Sequence, residues 1–317
     1  MNTYKLTFEC LSTISRIPDA QVIFGAICSI IKYTRGEEEL YNYLESFSNK
    51  PKFVHSSMFP NNLIPMVKVG LISINEKNNH IFQLDSGQQL NELSKLKQYK
   101  KITYMTQYIF EKYLNNNKDD ELKFELLKND IFSGKLILSQ NILSENRLLK
   151  DSSTSELIFH TNQEEDNDDR GLYYDKTIYY EKGALFNIYV KTDDLNYVKD
   201  IFKYSHYFGF GNRISVGKNC FQLKNIEKIH CCSLQSNKCI LLSKCIDTHF
   251  DLEQSSYMID SKTFIGSKDY SSNKIGIFNS FVEGSYMKVN EKKEYYGKLY
   301  STNNGKEIYH YGIGFVL

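Results

Sequence analysis

The residues from Gly209 to Phe221, GFGNRISVGKNCF, bring three glycines and two cations into one short segment. Glycine lacks a Cβ and takes positive φ freely, so Gly209, Gly211 and Gly217 can turn main-chain N–H groups toward an anion. Arg213 adds a planar fork of donors matched to phosphate oxygens, and Lys218 adds a point charge. Phosphate binding is the chemistry this combination allows, with a polyanion such as RNA as its object. The spacing is not that of a GxxxxGKS/T loop, and the segment does not lead from a strand into a helix. Both facts argue against a nucleotide-hydrolysing P-loop or a dinucleotide-binding fold. A glycine-rich turn that merely reverses the chain fits the same letters, and this segment alone leaves both readings open.

The elements around the loop have to hold it. Tyr4 to Leu11 alternates as a half-buried strand does. After Pro18, the run DAQVIFGAICSIIKYTRG reads as a helix capped by Asp19, with Val22, Ile23, Ala26, Ile27, Ile30 and Ile31 on one face. Gly36 ends it and EEELYNYLESF starts another. Gly25 in mid-helix costs stability, which predicts a neighbouring element packed closely there. A strand is expected at Phe53 to Ser57 and a helix over Leu93 to Leu114, while 115–130 and 161–170 read as polar loops. Leu172 to Tyr180 and Leu185 to Thr192 read as strands joined in hairpin fashion at Lys182 and Gly183. Asp193 and Asp194 open a helical run, DLNYVKDIFKYSHYF, that delivers the chain to the glycine-rich loop.

That order predicts an α+β protein of tandem ferredoxin-like (RRM-like, βαββαβ) domains with insertions and a glycine-rich loop. The first domain is placed at 1–228 and a smaller second one at 229–317. An open sheet face can stack bases and its loops can hold phosphates.

Composition narrows the partners. A chain of 317 residues with 41% hydrophobic content can bury a core, and its net charge of +1 excludes a protein that coats nucleic acid nonspecifically. Any RNA contact is therefore local. Five arginines stand against thirty-four lysines, which makes Arg16 and Arg213 more informative than any lysine cluster. The apolar run Ala20 to Ile31 is too short to cross a bilayer, so no membrane is expected. The amino terminus lacks the basic flank and apolar block of a secretory signal. A cytoplasmic location is expected, with the seven cysteines as free thiols.

Other chemistry has weaker signals. His230, Cys231, Cys232, Cys239, Cys245 and His249 crowd one region but contain no CxxC pair, so cysteine as core filler is favoured over a metal site. The acidic run Glu164 to Asp169 lacks the glycine and spaced carboxylates of a calcium loop. No metal or cofactor is expected. His206 precedes the glycine-rich loop, where a ribonuclease would place an acid or base, but it sits in the aromatic run SHYFGF, which reads as packing.

Several separated segments together resemble the RAMP superfamily, and within it the fourth Csm subunit of type III-A CRISPR effector complexes. The segments are RIPDAQVIFGAICSIIKYTRGEEEL, HSSMFPNNLIPMVK, GLYYDKTIYYEKGALFNIYV, GFGNRISVGKNCF, NSFVEGSY and YHYGIGF, in that order along nearly the whole chain. In the glycine-rich loop, Asn212 and Asn219 stand where the family carries more glycine. The resemblance implies a noncatalytic subunit that holds the 5′ handle of CRISPR RNA (crRNA). It would touch the large cyclase/nuclease subunit on one side and the RAMP backbone subunit on the other. Gly209, Gly211, Asn212, Arg213, Ser215, Gly217 and Lys218 would cradle the handle, with Arg16, Ser56, Ser57 and Lys68 as further contacts. A processing endoribonuclease and an adaptor without RNA contact are the alternatives.

Overall fold

A computed structural model describes residues 1–68, 102–114, 130, 135–139, 142–144, 153–161, 172–229, 237–247, 249–265, 274–303 and 307–316. The fold is mixed α+β, with few helices and sheets that are mostly antiparallel. Two compact units interleave along the chain: Met1–Asn61, Ser152–His230 and Lys298–Ile313 form the first. Asn62–Asp151, Cys231–Gly297 and Gly314–Leu317 form the second. A single cut near 228 therefore does not separate them, because the chain leaves the first unit after Asn61, builds part of the second, and returns.

The first unit contains β1 (Asn2–Cys10), β2 (Phe53–Pro60), β3 (Ser153–Thr161), β4 (Leu172–Tyr180), β5 (Leu185–Thr192) and β6 (Phe221–Ile229). Four of these form an antiparallel sheet in the order β6-β1-β5-β2. Helices α1 (Ala20–Arg35) and α2 (Glu37–Ser46) lie between β1 and β2 in sequence. Helices α3 (Leu195–Phe202) and α4 (Ser205–Phe208) lie between β5 and β6. Helical connections thus separate β1 from β2 and β5 from β6, and β1 and β5 are the two central strands of the sheet.

Hairpin pairing of Leu172–Tyr180 with Leu185–Thr192 does not occur. The turn is there, with Gly183 at φ 88° and the Ala184 N–H donating to Glu181 O at 3.0 Å. Each flanking strand takes another partner: β4 pairs with β3 along nine positions, and β5 is sandwiched between β1 and β2. The edge strand beside β5 is thus Phe53–Pro60, and a long stretch of chain separates the two in sequence.

Helix α1 forms as its sequence dictates. Asp19 accepts the Val22 N–H at 3.0 Å, and Lys32 and Arg35 lie in the last turn, where the helix dipole favours cations. Gly36, at φ 93°, ends the helix. Ile23, Phe24, Ile27, Ile30 and Ile31 are buried. The aromatic part of the core ties sheet, helices and loop together: Phe8 meets Phe202 and Phe210, each at 5.6 Å between ring centroids. Gly25 marks no close packing. It is exposed, and a Cβ built on it meets nothing within 4 Å.

In the second unit, Leu63–Pro65 pairs with Tyr104–Thr106, which pairs in parallel with Ile142–Ser144. The helix expected over Leu93 to Leu114 is not formed where residues are described. Its composition favours a helix, but sheet pairing claims Tyr104–Thr106, and only short helical turns follow at Gln107–Ile109 and Phe110–Leu114. Residues 93–101 lie outside those described. Another sheet has Tyr286–Val289 between Lys238–Ile240 and Phe250–Ser256. Leu241, Cys245, Phe250, Phe281 and Met287 belong to the apolar cluster of this unit. The described residues of 229–317 contain strands and no helix, so they do not display a second βαββαβ order. No helix among the described residues is long and apolar enough to cross a membrane.

Candidate nucleic-acid interface

The glycine-rich loop starts where α4 ends, and its shape depends on backbone that side chains rarely allow. Gly209 has φ 59° and ψ −178°, and a Cβ there would lie 2.8 Å from Asn219 O. Phe210 then buries its ring in the core, leaving 1% exposed. Arg213, Gly217 and Asn219 are all left-handed, on either side of a 3-10 turn at Ile214–Val216. Asparagine tolerates that conformation better than most residues, which is why Asn219 substitutes for glycine here.

Asn219 also stitches the loop to the connection between β1 and α1. Its N–H donates to Thr13 O at 2.9 Å, and its carbonyl accepts the Phe210 N–H at 2.9 Å. Its Oδ1 accepts the Ser15 N–H at 3.2 Å, and its Nδ2 donates to Asn212 O at 2.6 Å. Ser15 Oγ donates to Asn212 Oδ1 at 3.0 Å, and the Cys220 N–H donates to Ser12 Oγ at 2.9 Å. The network fixes the loop beside the segment that carries Arg16, which is exposed.

Two of the three glycines expected to offer N–H groups have theirs already bonded. The Gly209 N–H is taken by Ser205 O and the Gly217 N–H by Ile214 O, both at 2.8 Å. Among the described residues, the N–H groups of Gly211, Asn212, Ile214 and Ser215 have no acceptor. The open donors thus fall within one short stretch of the loop, where Asn212 and Ser215 are exposed and Gly211 and Ile214 partly so. Such a cluster of donors, with Arg213 among them, suits an anion.

Lys218 does not join that exposed group. It is 8% exposed, and its Nζ donates to Thr177 Oγ1 of β4 at 2.6 Å. Ser56 and Ser57 are likewise interior, at 0% and 3% exposure. They sit where the pairing of β2 with β5 shifts register between His55 and Met58. Ser56 Oγ accepts the Tyr189 N–H at 2.9 Å, and Ser57 Oγ accepts the Ala20 N–H at 2.9 Å, so the hydroxyls satisfy donors the sheet and helix leave open. The side chains at these three positions, expected to face RNA, are instead buried and bonded inside the fold. Lys68 belongs to the second unit, where its N–H donates to Gly284 O at 2.8 Å. Burial holds its ammonium below the usual lysine range, an effect Glu283 opposes.

His206, in α4, lies against the neighbouring Tyr207 ring at 3.8 Å. Cys239 and Cys245 are buried in the apolar cluster of the second unit, and burial raises the Cys245 thiol well above its ordinary value. His249 is bonded to Asp247. His230, Cys231, Cys232 and the run Glu164 to Asp169 lie outside the described residues.

Sequence reasoning missed Ser12, Ser15, Thr177 and Asn219 as loop supports. Only Asn219 carried a signal, as an asparagine in a glycine-rich turn. The others act across long sequence separations that no local pattern reveals.

No family model matches the chain, and no curated protein matches it. Solved structures do. The chain is similar, with a TM-score of 0.67 and 16% identity, to a structure of the Csm3–Csm4 subcomplex in the type III-A CRISPR–Cas interference complex, covering 100% of this chain and 99% of that one. Structures of a Csm1–Csm4 cassette with pppApA and with AMPPNP match at TM-scores of 0.56 and 0.57 and identities of 15% and 14%. Each match covers 100% of this chain and 97% of the other. Over its whole length, this chain has the fold of Csm4.

Proposed function

We propose that the chain is the Csm4-type subunit of a type III-A CRISPR interference complex, a noncatalytic protein that holds the 5′ handle of crRNA. In this reading it joins the large cyclase/nuclease subunit to the backbone subunit and serves antiviral defence. The observation that carries it is the set of open N–H groups at Gly211, Asn212, Ile214 and Ser215, close in sequence to Arg213 and held beside the segment of Arg16, in a chain with this fold. Phosphates of one RNA terminus can be held by main-chain donors and two arginines without a basic protein overall. The contact set is Gly211, Asn212, Arg213, Ser215 and Arg16, with Gly209, Gly217 and Lys218 shaping the loop.

Complexes assembled with the Arg16→Ala, Arg213→Ala double variant are expected to retain roughly tenfold less crRNA at physiological salt. Equal crRNA content in variant and unaltered complexes would overturn the reading. Repeat-containing RNA is expected to stay uncut by the purified chain, and cleavage that His206→Ala abolishes would replace the noncatalytic role with a ribonuclease.

A further inference from the structure

Beside the loop lies a cleft of about 320 Å³, lined by Glu9, Leu11, Ser12, Tyr179, Tyr180 and Lys182 among others. Its volume falls at the lower end of the range for small-molecule sites, about 300–1,000 Å³. Its walls are fixed from both sides. Ile14 and Ile178 exchange main-chain hydrogen bonds of 3.0 and 2.8 Å, and the Cys10 N–H donates to Ala184 O at 2.9 Å. These bonds hold the end of β4 against the segment after β1. That same segment carries the acceptors for Asn219 and Cys220, so cleft and loop share one strut.

The lining is amphipathic in a specific way. Tyr180 is anchored by an edge-to-face contact with Phe186 at 5.0 Å. Tyr179 is only partly buried, and among the described residues neither its ring nor its hydroxyl has a partner. Glu9 places Oε2 at 2.6 Å from Lys224 Nζ, while Oε1 has no partner among the described residues. Lys182 is exposed. The Cys10 thiol is pushed up to about 11 by burial, so it acts as apolar lining rather than as a nucleophile.

A flat aromatic face, an acceptor-only carboxylate and a lysine at one cleft describe the needs of a nucleotide. Carboxylate oxygens accept and never donate when ionised, and Oε2 has room for a second hydrogen bond beside the lysine. Guanine alone among the four RNA bases offers two adjacent N–H donors on one edge. Adenine and cytosine set an amino group beside an acceptor nitrogen, and uracil flanks its N–H with carbonyls. We propose that this cleft takes a guanine of the bound RNA, with Tyr179 stacking on the ring, Glu9 accepting its N1–H and N2–H, and Lys182 facing a phosphate. This rests on the RNA-binding reading above and adds a base-specific contact to it.

The full chain, titrated with GMP, AMP, CMP and UMP and followed by saturation-transfer NMR, is expected to bind GMP about tenfold more tightly than the others. Glu9→Gln should abolish that preference, and Tyr179→Leu should weaken all four. Equal binding of the four, no binding, or a GMP preference that survives Glu9→Gln would overturn the pocket. A second arm uses handle RNA with each guanine replaced in turn by adenine. One replacement should cost about tenfold with the unaltered chain and nothing with Glu9→Gln; no such position would likewise overturn the pocket. A chain that prefers GMP through Glu9 yet retains no RNA would sustain the cleft's base specificity and strike the RNA-subunit reading instead.

Discussion

Lys218 Nζ donates to Thr177 Oγ1 at 2.6 Å, across 41 residues of sequence, and thereby ties the glycine-rich loop to β4. The lysine is a tether and Arg213 is the cation nearer the surface. Their substitutions should therefore differ in kind. Arg213→Ala is expected to leave folding intact and lower the slope of log affinity against log salt by about one, the mark of a lost phosphate contact. Lys218→Met is expected to leave that slope unchanged and cost about 1–3 kcal/mol in denaturant unfolding, since a buried polar pair loses one member. Matching salt slopes for the two variants would contradict the division of labour.

This contrast shows which parts of the chain were readable. The strand Asn2–Cys10, the cap at Asp19, the stop at Gly36 and the ends of β4 and β5 follow local rules of alternation, capping and turn chemistry. What local rules do not contain is which strand pairs with which. The turn at Gly183 predicted a hairpin, but β4 and β5 found partners elsewhere in the chain. The same gap explains the site. Glycine and charge drew attention to the loop, where some backbone donors are open, but the interior partners of Lys218, Ser56 and Ser57 are Thr177, Tyr189 and Ala20, far away in sequence.

His55 gives stability a pH dependence. It is fully buried, stacked on Tyr311 at 4.4 Å between ring centroids, with Nδ1 facing Ser56 O at 3.1 Å. Its Nε2 has no hydrogen-bond partner among the described residues. Burial pushes its pKa down to about 4, against a smaller opposing effect of the Ser56 carbonyl. The unfolded chain binds this proton more readily, so stability is complete above about pH 6.5 and falls as pH drops toward 4, by roughly 3 kcal/mol. Burial lowers His310 as well, which adds in the same direction. Unfolding free energies of His55→Phe between pH 4 and 7 should show a visibly flatter profile than those of the unaltered chain.

Gly25 is a glycine without a visible structural reason. It lies in mid-helix and exposed, and a Cβ there meets nothing within 4 Å. Gly25→Ala should stabilise the chain by about 1 kcal/mol, by restricting the unfolded backbone and favouring the helix. Chemical denaturation of the isolated chain measures this directly, and a loss of stability would mean that the α1 surface is packed more tightly than its geometry indicates.

Gly209 and Gly217 both have positive φ, yet they should not respond alike to alanine. Gly217, at φ 80° and ψ 15°, sits in the left-handed helical region with open space around it, so Gly217→Ala should cost about 1 kcal/mol. Gly209, at φ 59° and ψ −178°, sits where essentially only glycine is found, and its added Cβ would lie 2.8 Å from Asn219 O. Gly209→Ala should therefore cost about 3 kcal/mol. Because Asn219 is the residue that holds Asn212 and Ser15 in place, that collision should also scatter the open N–H groups and lower RNA retention. Gly217→Ala should leave retention nearly unchanged, since its N–H is already bonded to Ile214 O. Parallel unfolding and RNA-retention measurements on the two variants test whether loop shape, rather than glycine content, makes the anion cradle.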